Sequence, residues 1–250
     1  MREDVNELLT IVNKLYDFVP KEYAIFVKLQ DLIKGNEVSV SDSDKGKNPF
    51  TEIVYHIIKT FTQHRDNPTE MAKEIYKTKL VAKESFVYPF ELFADLVIGY
   101  SYAELKSYYK ASSILYEVVK ASKDKGLNAI TFMAWYVLSI MNMKQGRFDI
   151  AYGMLNNSSI QMEKLGGVSD YLMLLIKFNM FKLMKCLKVT DKADICLAQA
   201  QYIVKKYGLN FNTDIDIDKF LADNNIDLSD LPETKDSDAV QTETQDNDPK

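Results

Sequence analysis

The stretch "AWYVLSIMNMKQGRFDIAYGML", Ala134 to Leu155, decides the fold. A helical run of apolar residues stops at Gln145-Gly146 and restarts at once with Phe148, then Ala151 and Leu155. Glycine takes the left-handed backbone that ends a helix without steric penalty, and so short a break folds the second helix back on the first. The same fixed points recur along the chain. Fifteen residues past Ala151 stands Gly166. Forty residues before Ala151 is Ala111, with Gly126 fifteen further on; forty-two beyond it is Ala193, with Gly208 fifteen further on. Four residues past each alanine sits a leucine (Leu115, Leu155, Leu197), and seven past it Val118, Ser158 and Ala200. Ala72 with Tyr76, thirty-nine residues before Ala111, makes a weaker fourth copy. A small side chain lets two helices approach closely, and a leucine one turn later fills the space between successive hairpins.

The composition agrees with an all-α chain. Hydrophobic residues make up 46% and charged residues 27%, which is globular usage, and nine glycines and six prolines are too few for the turns of a β fold. The net charge of −5 is unevenly placed. From Ser229 to Lys250 seven acids face two lysines, so residues 1–228 carry 29 bases and 29 acids and are neutral. A neutral body with an acidic tail lacks the basic face that nucleic acid requires. Cys186 and Cys196 are the only cysteines, without zinc-ligand spacing, and read as free thiols buried on helices.

Five segments follow from the breaks. Residues 1–34 read as an N-terminal hairpin, two short helices joined at Val19-Pro20; residues 35–49 form a polar loop; residues 50–208 carry the repeats; residues 209–228 hold a short closing helix near 215–223; and residues 229–250, without aromatics, form a disordered acidic tail. The apolar stretch "YLMLLIKFNMFKLM" is broken by Lys177 and Lys182, too soon to span a bilayer, so no direct membrane insertion is expected. The opening "MREDVNELLTIVNKL" lacks the apolar core of a signal peptide. The expected compartment is therefore the cytoplasm, or the periplasm if the chain is a fragment.

The repeating residues resemble tetratricopeptide (TPR) repeats, whose pattern is Trp-x-x-Leu-Gly-x-x-Tyr, then Ala-x-x-x-Phe, then Pro. Trp135, Leu138, Ser139, Ala151 and Leu155 fall at those places in one repeat, and Ile98, Gly99, Tyr102, Ala111 and Leu115 in the one before. In the next repeat Met180, Phe181 and Met184 match poorly, while Ala193 and Leu197 match well. The terminal proline is replaced by glycine and the period is near forty rather than thirty-four. The resemblance implies a right-handed α-solenoid of four to five hairpins over residues 3–208. The ending "CLAQAQYIVKKYGLNFNTDIDIDKFL" is similar to TPR proteins of the periplasmic collar of spirochaetal flagellar motors.

Little in the chain reads as catalysis. His56 and His64 stand eight apart with no adjacent cysteine or acid pair. "SYYK" at Ser107–Lys110 fits Ser-x-x-Lys without that class's companion motifs, and sits where an elbow belongs. "DIDID", Asp214 to Asp218, imitates a calcium loop, but Phe220, Ala222 and Asn225 occupy ligand places and no glycine makes the turn; acids at a helix start explain it. An enzyme is not expected, nor a metal or nucleotide cofactor.

Partner binding is the expectation that remains. In peptide-binding TPR proteins the first helices line the concave face, and carried over those places hold Val54, Ile57, Phe61 and His64; Phe93, Leu96, Tyr100 and Ala103; Met133, Tyr136, Ile140 and Met143; and Leu175, Phe178, Lys182 and Lys185. Cations appear only in the last set, which departs from the repeats that clamp a terminal carboxylate. Eight of ten methionines fall between Met133 and Met184, either curled into the core or lining a groove for a hydrophobic helix. The implied function is a non-catalytic scaffold or adaptor for protein–protein interactions in a larger assembly, such as a flagellar motor collar, with self-association through open repeat ends. The alternative is a cytoplasmic TPR regulator, of the bacterial long-repeat kind, that binds a signalling peptide or partner helix.

Overall fold

A computed structural model describes residues 24–33, 36–165, 170–208 and 211–227. The described residues are all-helical, with no strand among them. Helix α1 spans Ala24–Ile33, α2 Pro49–Gln63, α3 Pro68–Glu84, α4 Tyr88–Glu104, α5 Tyr108–Asp124, α6 Asn128–Met143, α7 Phe148–Glu163, α8 Asp170–Cys186, α9 Thr190–Tyr207 and α10 Ile217–Asp223. The expectations for the rest of the N-terminal hairpin, for Gly166 and for the acidic tail lie outside the described residues. The short closing helix is α10, and a single 3₁₀ turn, Asp42–Asp44, interrupts the polar loop.

Local chemistry sets the helix starts and stops. Asn48 and Asn67 accept hydrogen bonds from the backbone N–H groups of Phe50 and Glu70, and a proline follows each in the first turn. The ends share one device. The N–H of Val87 donates to the carbonyl of Ala82 at 2.8 Å, Ser107 to Tyr102 at 2.9 Å, Leu127 to Ser122 at 2.8 Å, Arg147 to Asn142 at 3.0 Å and Val189 to Met184 at 2.9 Å. In each loop the residue before the donor is left-handed: Phe86, Lys106, Gly126, Gly146 and Lys188. These are Schellman closures. The first four stand twenty residues apart, so the forty-residue period is two helix–loop units. Connections this short place consecutive helices antiparallel, and each packs against its neighbour in sequence, a helical repeat-like architecture.

The small-residue ladder lies where hairpins meet. Ala111, Leu115 and Val118 of α5, and Ala151, Leu155 and Ser158 of α7, are buried, as are Ala193 and Ala200 of α9, while Leu197 is half-buried. On α4, a Cβ added to Gly99 would stand 2.8 Å from Leu115 Cδ2, so the hydrogen side chain admits that leucine. The fourth copy is corrected by one residue. Ala72 is half-buried and Tyr76 exposed, whereas Met71, Ile75, Thr78 and Ala82 form the buried row of α3. Met71 stands forty residues before Ala111, and Phe86 forty before Gly126. A methionine in the alanine place and a phenylalanine in the glycine place hid the register.

The core is a series of clusters rather than one centre. Ile25 of α1 packs with Val54, Tyr55 and Ile58 of α2; Ile53, Met71 and Ile75 meet Ala94 and Val97; Leu96, Leu115 and Val118 meet Ala134 and Leu138; Met143 and Ala151 meet Phe178, Phe181 and Ala193. Five of the eight clustered methionines (Met141, Met143, Met154, Met162, Met184) are buried, so of the two readings of the methionines the core holds for most.

The loop geometry yields a stability test. Left-handed φ costs a residue with a side chain roughly 1 kcal/mol or more. Lys106→Gly and Lys188→Gly should each raise the urea midpoint by an equivalent of about 0.5–1 kcal/mol, while Gly126→Ala should lower it by a similar amount.

Candidate partner-binding groove

The first helices of the hairpins, α2, α4, α6 and α8, carry two apolar cavities on one face. One, of about 710 Å³, is lined by Leu29, Leu32 and Ile33 of α1, by Ile57, Phe61 and Arg65, by Pro89, Phe90 and Phe93 of α4, and by Ile130. Phe61 and Phe93 face each other across it with ring centroids 6.4 Å apart. The other, of about 370 Å³, lies between Tyr100, Ala103 and Glu104 of α4, Tyr136 and Ile140 of α6, and Leu175, Phe178, Asn179 and Lys182 of α8; Phe211 closes one side.

The expected groove residues divide between these places. Phe61 and Phe93 line the first cavity, and Tyr100, Tyr136, Ile140, Phe178 and Lys182 the second. Leu96 and Met143 are corrected: each is buried in a core seam, because the helix turns them toward the neighbouring hairpin. Met133 is 42% exposed and lines neither cavity. Lys185 pairs with Asp194 at 2.9 Å and lies over the Phe181 ring, so it serves the α8–α9 hairpin.

Electrostatically the second cavity is apolar with a few aimed polar groups. Asn179 Nδ2 donates to the Tyr136 hydroxyl at 2.7 Å and to the Leu175 carbonyl at 2.8 Å, which fixes both side chains. Lys144 pairs with Glu104 at 2.8 Å across the edge between α4 and α6. Lys182 holds its ammonium 4.6 Å from the Phe178 ring centroid. Burial, and then the charge of Lys144, pushes its pKa down, and among the described residues no carboxylate lies within ion-pair range of it. Burial pushes the Tyr100 phenol up. Such a site orients and holds; it contains no nucleophile paired with a base.

Sequence reasoning missed a polar knot on the other side of α2. His56, which has no adjacent acid pair in the sequence, is buried, with Nδ1 2.7 Å from Glu74 Oε1 and Nε2 3.7 Å from Glu52 Oε1. Glu52 precedes His56 by one helical turn, a signal the sequence did carry, but Glu74 arrives only through the α2–α3 packing. Lys77 donates to Glu74 at 2.7 Å, and the Tyr55 hydroxyl to Asp42 at 2.7 Å. Asp42, Lys45, Glu52, Tyr55, His56, Lys59, Lys77, Leu80 and Val81 line a cavity of about 490 Å³ beside the knot, where Lys45 pairs with Glu52 and the Tyr55 hydroxyl donates to Asp42. Among the described residues no group of three His, Cys, Asp or Glu side chains is placed to hold a metal, and no helix is long and apolar enough to cross a membrane. Cys186 is buried, and burial pushes its thiol up to about 11; Cys196 is half-buried rather than buried as expected.

The described residues form a helical repeat-like architecture that carries two apolar cavities. No protein-family model matches the chain, and neither the curated proteins nor the solved structures give a significant match.

The knot predicts a pH dependence. Burial pushes the Glu74 carboxyl up, but hydrogen bonds from Lys77 and His56 outweigh it and leave the group below its ordinary range. A carboxyl held low stabilises the fold above its unfolded pKa and loses that contribution as pH falls through its folded value. The difference in urea midpoint between the natural chain and Glu74→Gln should therefore be full near neutral pH, about 1–2 kcal/mol, and shrink below roughly pH 4.

Proposed function

We propose that this chain is a non-catalytic scaffold or adaptor of the TPR kind, a right-handed α-solenoid whose first-helix face takes a protein or peptide segment within a larger assembly. The observation that carries this reading is the pair of apolar cavities spaced along α2, α4, α6 and α8, with exposed Tyr100 at the edge of the second. Apolar pockets with few, well-placed polar groups bind by burial and select by those groups. Ile195 and Tyr202 stand exposed on the outer face of α9 beside Met173, and this open apolar end supports self-association or stacking on further repeats. A flagellar motor collar is the assembly to which the similarity of the ending points.

A second reading, a cytoplasmic regulator that binds a signalling peptide, is favoured by the modest size of the second cavity and by Lys182 within it. The two readings share a site and differ in what is recovered. Tyr100→Ala combined with Lys182→Ala removes two cavity-lining groups that are not fully buried, so the helical circular-dichroism signal should be unchanged. Partner capture from membrane and cytosolic extracts should weaken by about tenfold or more, the equivalent of roughly 1.4 kcal/mol. Recovery of motor or envelope proteins supports the scaffold, and a single signalling partner the regulator. Unchanged capture of every partner by the variant would move binding off this face.

A further inference from the structure

Helix α9 repeats the ladder of the earlier second helices on its buried side and departs from them on the opposite side. Two and nine residues past the ladder position lie two turns apart on one exposed stripe. There α3 carries Lys73 and Leu80, α5 Ser113 and Lys120, and α7 Gly153 and Ile160. In α9 the two places hold Ile195 and Tyr202, 59% and 65% exposed, and of the four pairs it alone has two large apolar side chains. The charges of this stripe sit at its ends. Asp191, in the first turn, stands four residues before Ile195, and Lys206, in the last turn, four after Tyr202; both are exposed. Exposed Ala198 and Gln199 lie midway. Beside the stripe a cavity of about 510 Å³ opens between the two helices, with Met173 and Lys177 of α8 on one wall and Ile195, Gln199 and Tyr202 on the other.

Read in reverse, the stripe is its own complement. A second α9 turned end for end, about a two-fold axis midway between Ala198 and Gln199, sets Ile195 against Tyr202 of the second copy. The same rotation sets Asp191 against Lys206 of the second copy, and each contact is made twice. Ala198 has no side chain beyond its Cβ, so the helices approach closely at the axis. The Gln199 amides, each both donor and acceptor, meet there. Lys192 and Lys205 fall on opposite flanks of the stripe, so this pairing does not bring them together. A parallel pair would instead set acid against acid and lysine against lysine, which counts against it. We propose that the outer face of α9 is a docking surface for a second copy of this chain, joined as an antiparallel α9–α9 pair in which Tyr202 of each copy enters the cavity beside Ile195 of the other. The inference rests on the self-association in the reading above and names its surface and its register. A two-fold contact closes on itself, so association stops at the dimer. One helix pair is a small interface, under about 1,200 Å² in total, and the expected Kd is on the order of 10 μM.

The test is sedimentation equilibrium of the full chain between roughly 1 and 300 μM, a range that brackets such a Kd. The natural chain should pass from monomer to dimer and no further. Tyr202→Glu changes a side chain that the fold leaves exposed, so the helical circular-dichroism signal should hold while dimerisation weakens by at least about tenfold. If that signal falls, Tyr202→Ser takes its place. Asp191→Lys and Lys206→Asp should each weaken the dimer by about threefold to tenfold, and the two together should restore it to within about twofold. Both exchanges oppose the helix dipole, so a merely structural role for these charges would make the double variant the worst of the three. A chain that stays monomeric throughout overturns the proposal, and so does a dimer indifferent to the change at Tyr202. A double exchange that leaves the dimer weak refutes the antiparallel register, and open-ended growth refutes the two-fold contact. The groove variant Tyr100→Ala, Lys182→Ala should dimerise like the natural chain. Loss of partner capture and loss of the dimer are therefore separate results.

Discussion

Three hairpins of this protein depend on a place where a second helix meets its first at the width of an alanine. Ala111, Ala151 and Ala193 are fully buried at those places, and Gly99 grants the same closeness from the opposite helix. Close approach makes the next turn's leucine reach the following hairpin, so one hairpin's packing becomes the floor of its neighbour. Schellman closures recur at twenty-residue steps, at Phe86, Lys106, Gly126 and Gly146, and the helices from α3 to α7 span sixteen or seventeen residues each, which holds the ladders in line. Apolar residues of α2, α4, α6 and α8, joined by Leu29, Leu32 and Ile33 of α1, line the two cavities.

Much of this was legible because the signals are local. Ala111, Ala151 and Ala193 announced the ladder, Gly126 and Gly146 the stops, and Asn-Pro pairs the starts of α2 and α3. Where chemistry was substituted, the reading slipped. Phe86, Lys106 and Lys188 hold left-handed positions that glycine would have advertised, and Met71 replaces the ladder alanine of α3. The groove was half legible: helical spacing picked out Phe61, Phe93, Tyr100, Tyr136 and Phe178, but it could not tell a residue on the open face from one turned into the next seam, as Leu96 and Met143 are. The alternation in "FNTDIDI" matches the burial found there, with Phe211, Thr213, Ile215 and Ile217 half-buried and the residues between them exposed.

The two faces of α2 show how the chain separates structural polarity from recognition. On one side buried Glu74 pairs with both His56 and Lys77, and removing Glu74 takes away the 2.7 Å partner of the buried imidazole. On the other side Ile57 and Phe61 stand open on the large cavity. Polar groups that hold the fold are met by partners inside the chain; among the described residues, the half-buried Lys182 of the groove meets an aromatic ring and the like charge of Lys144 and no carboxylate.

The central claim is the alanine-width contact, and equilibrium unfolding of Ala151→Leu tests it most directly. Three extra carbons at a fully buried contact force α7 away from its neighbours, so the unfolding free energy should fall by about 2–3 kcal/mol, against almost no change for Ala129→Leu on the exposed first turn of α6. An Ala151→Leu protein as stable as the natural chain would contradict the account.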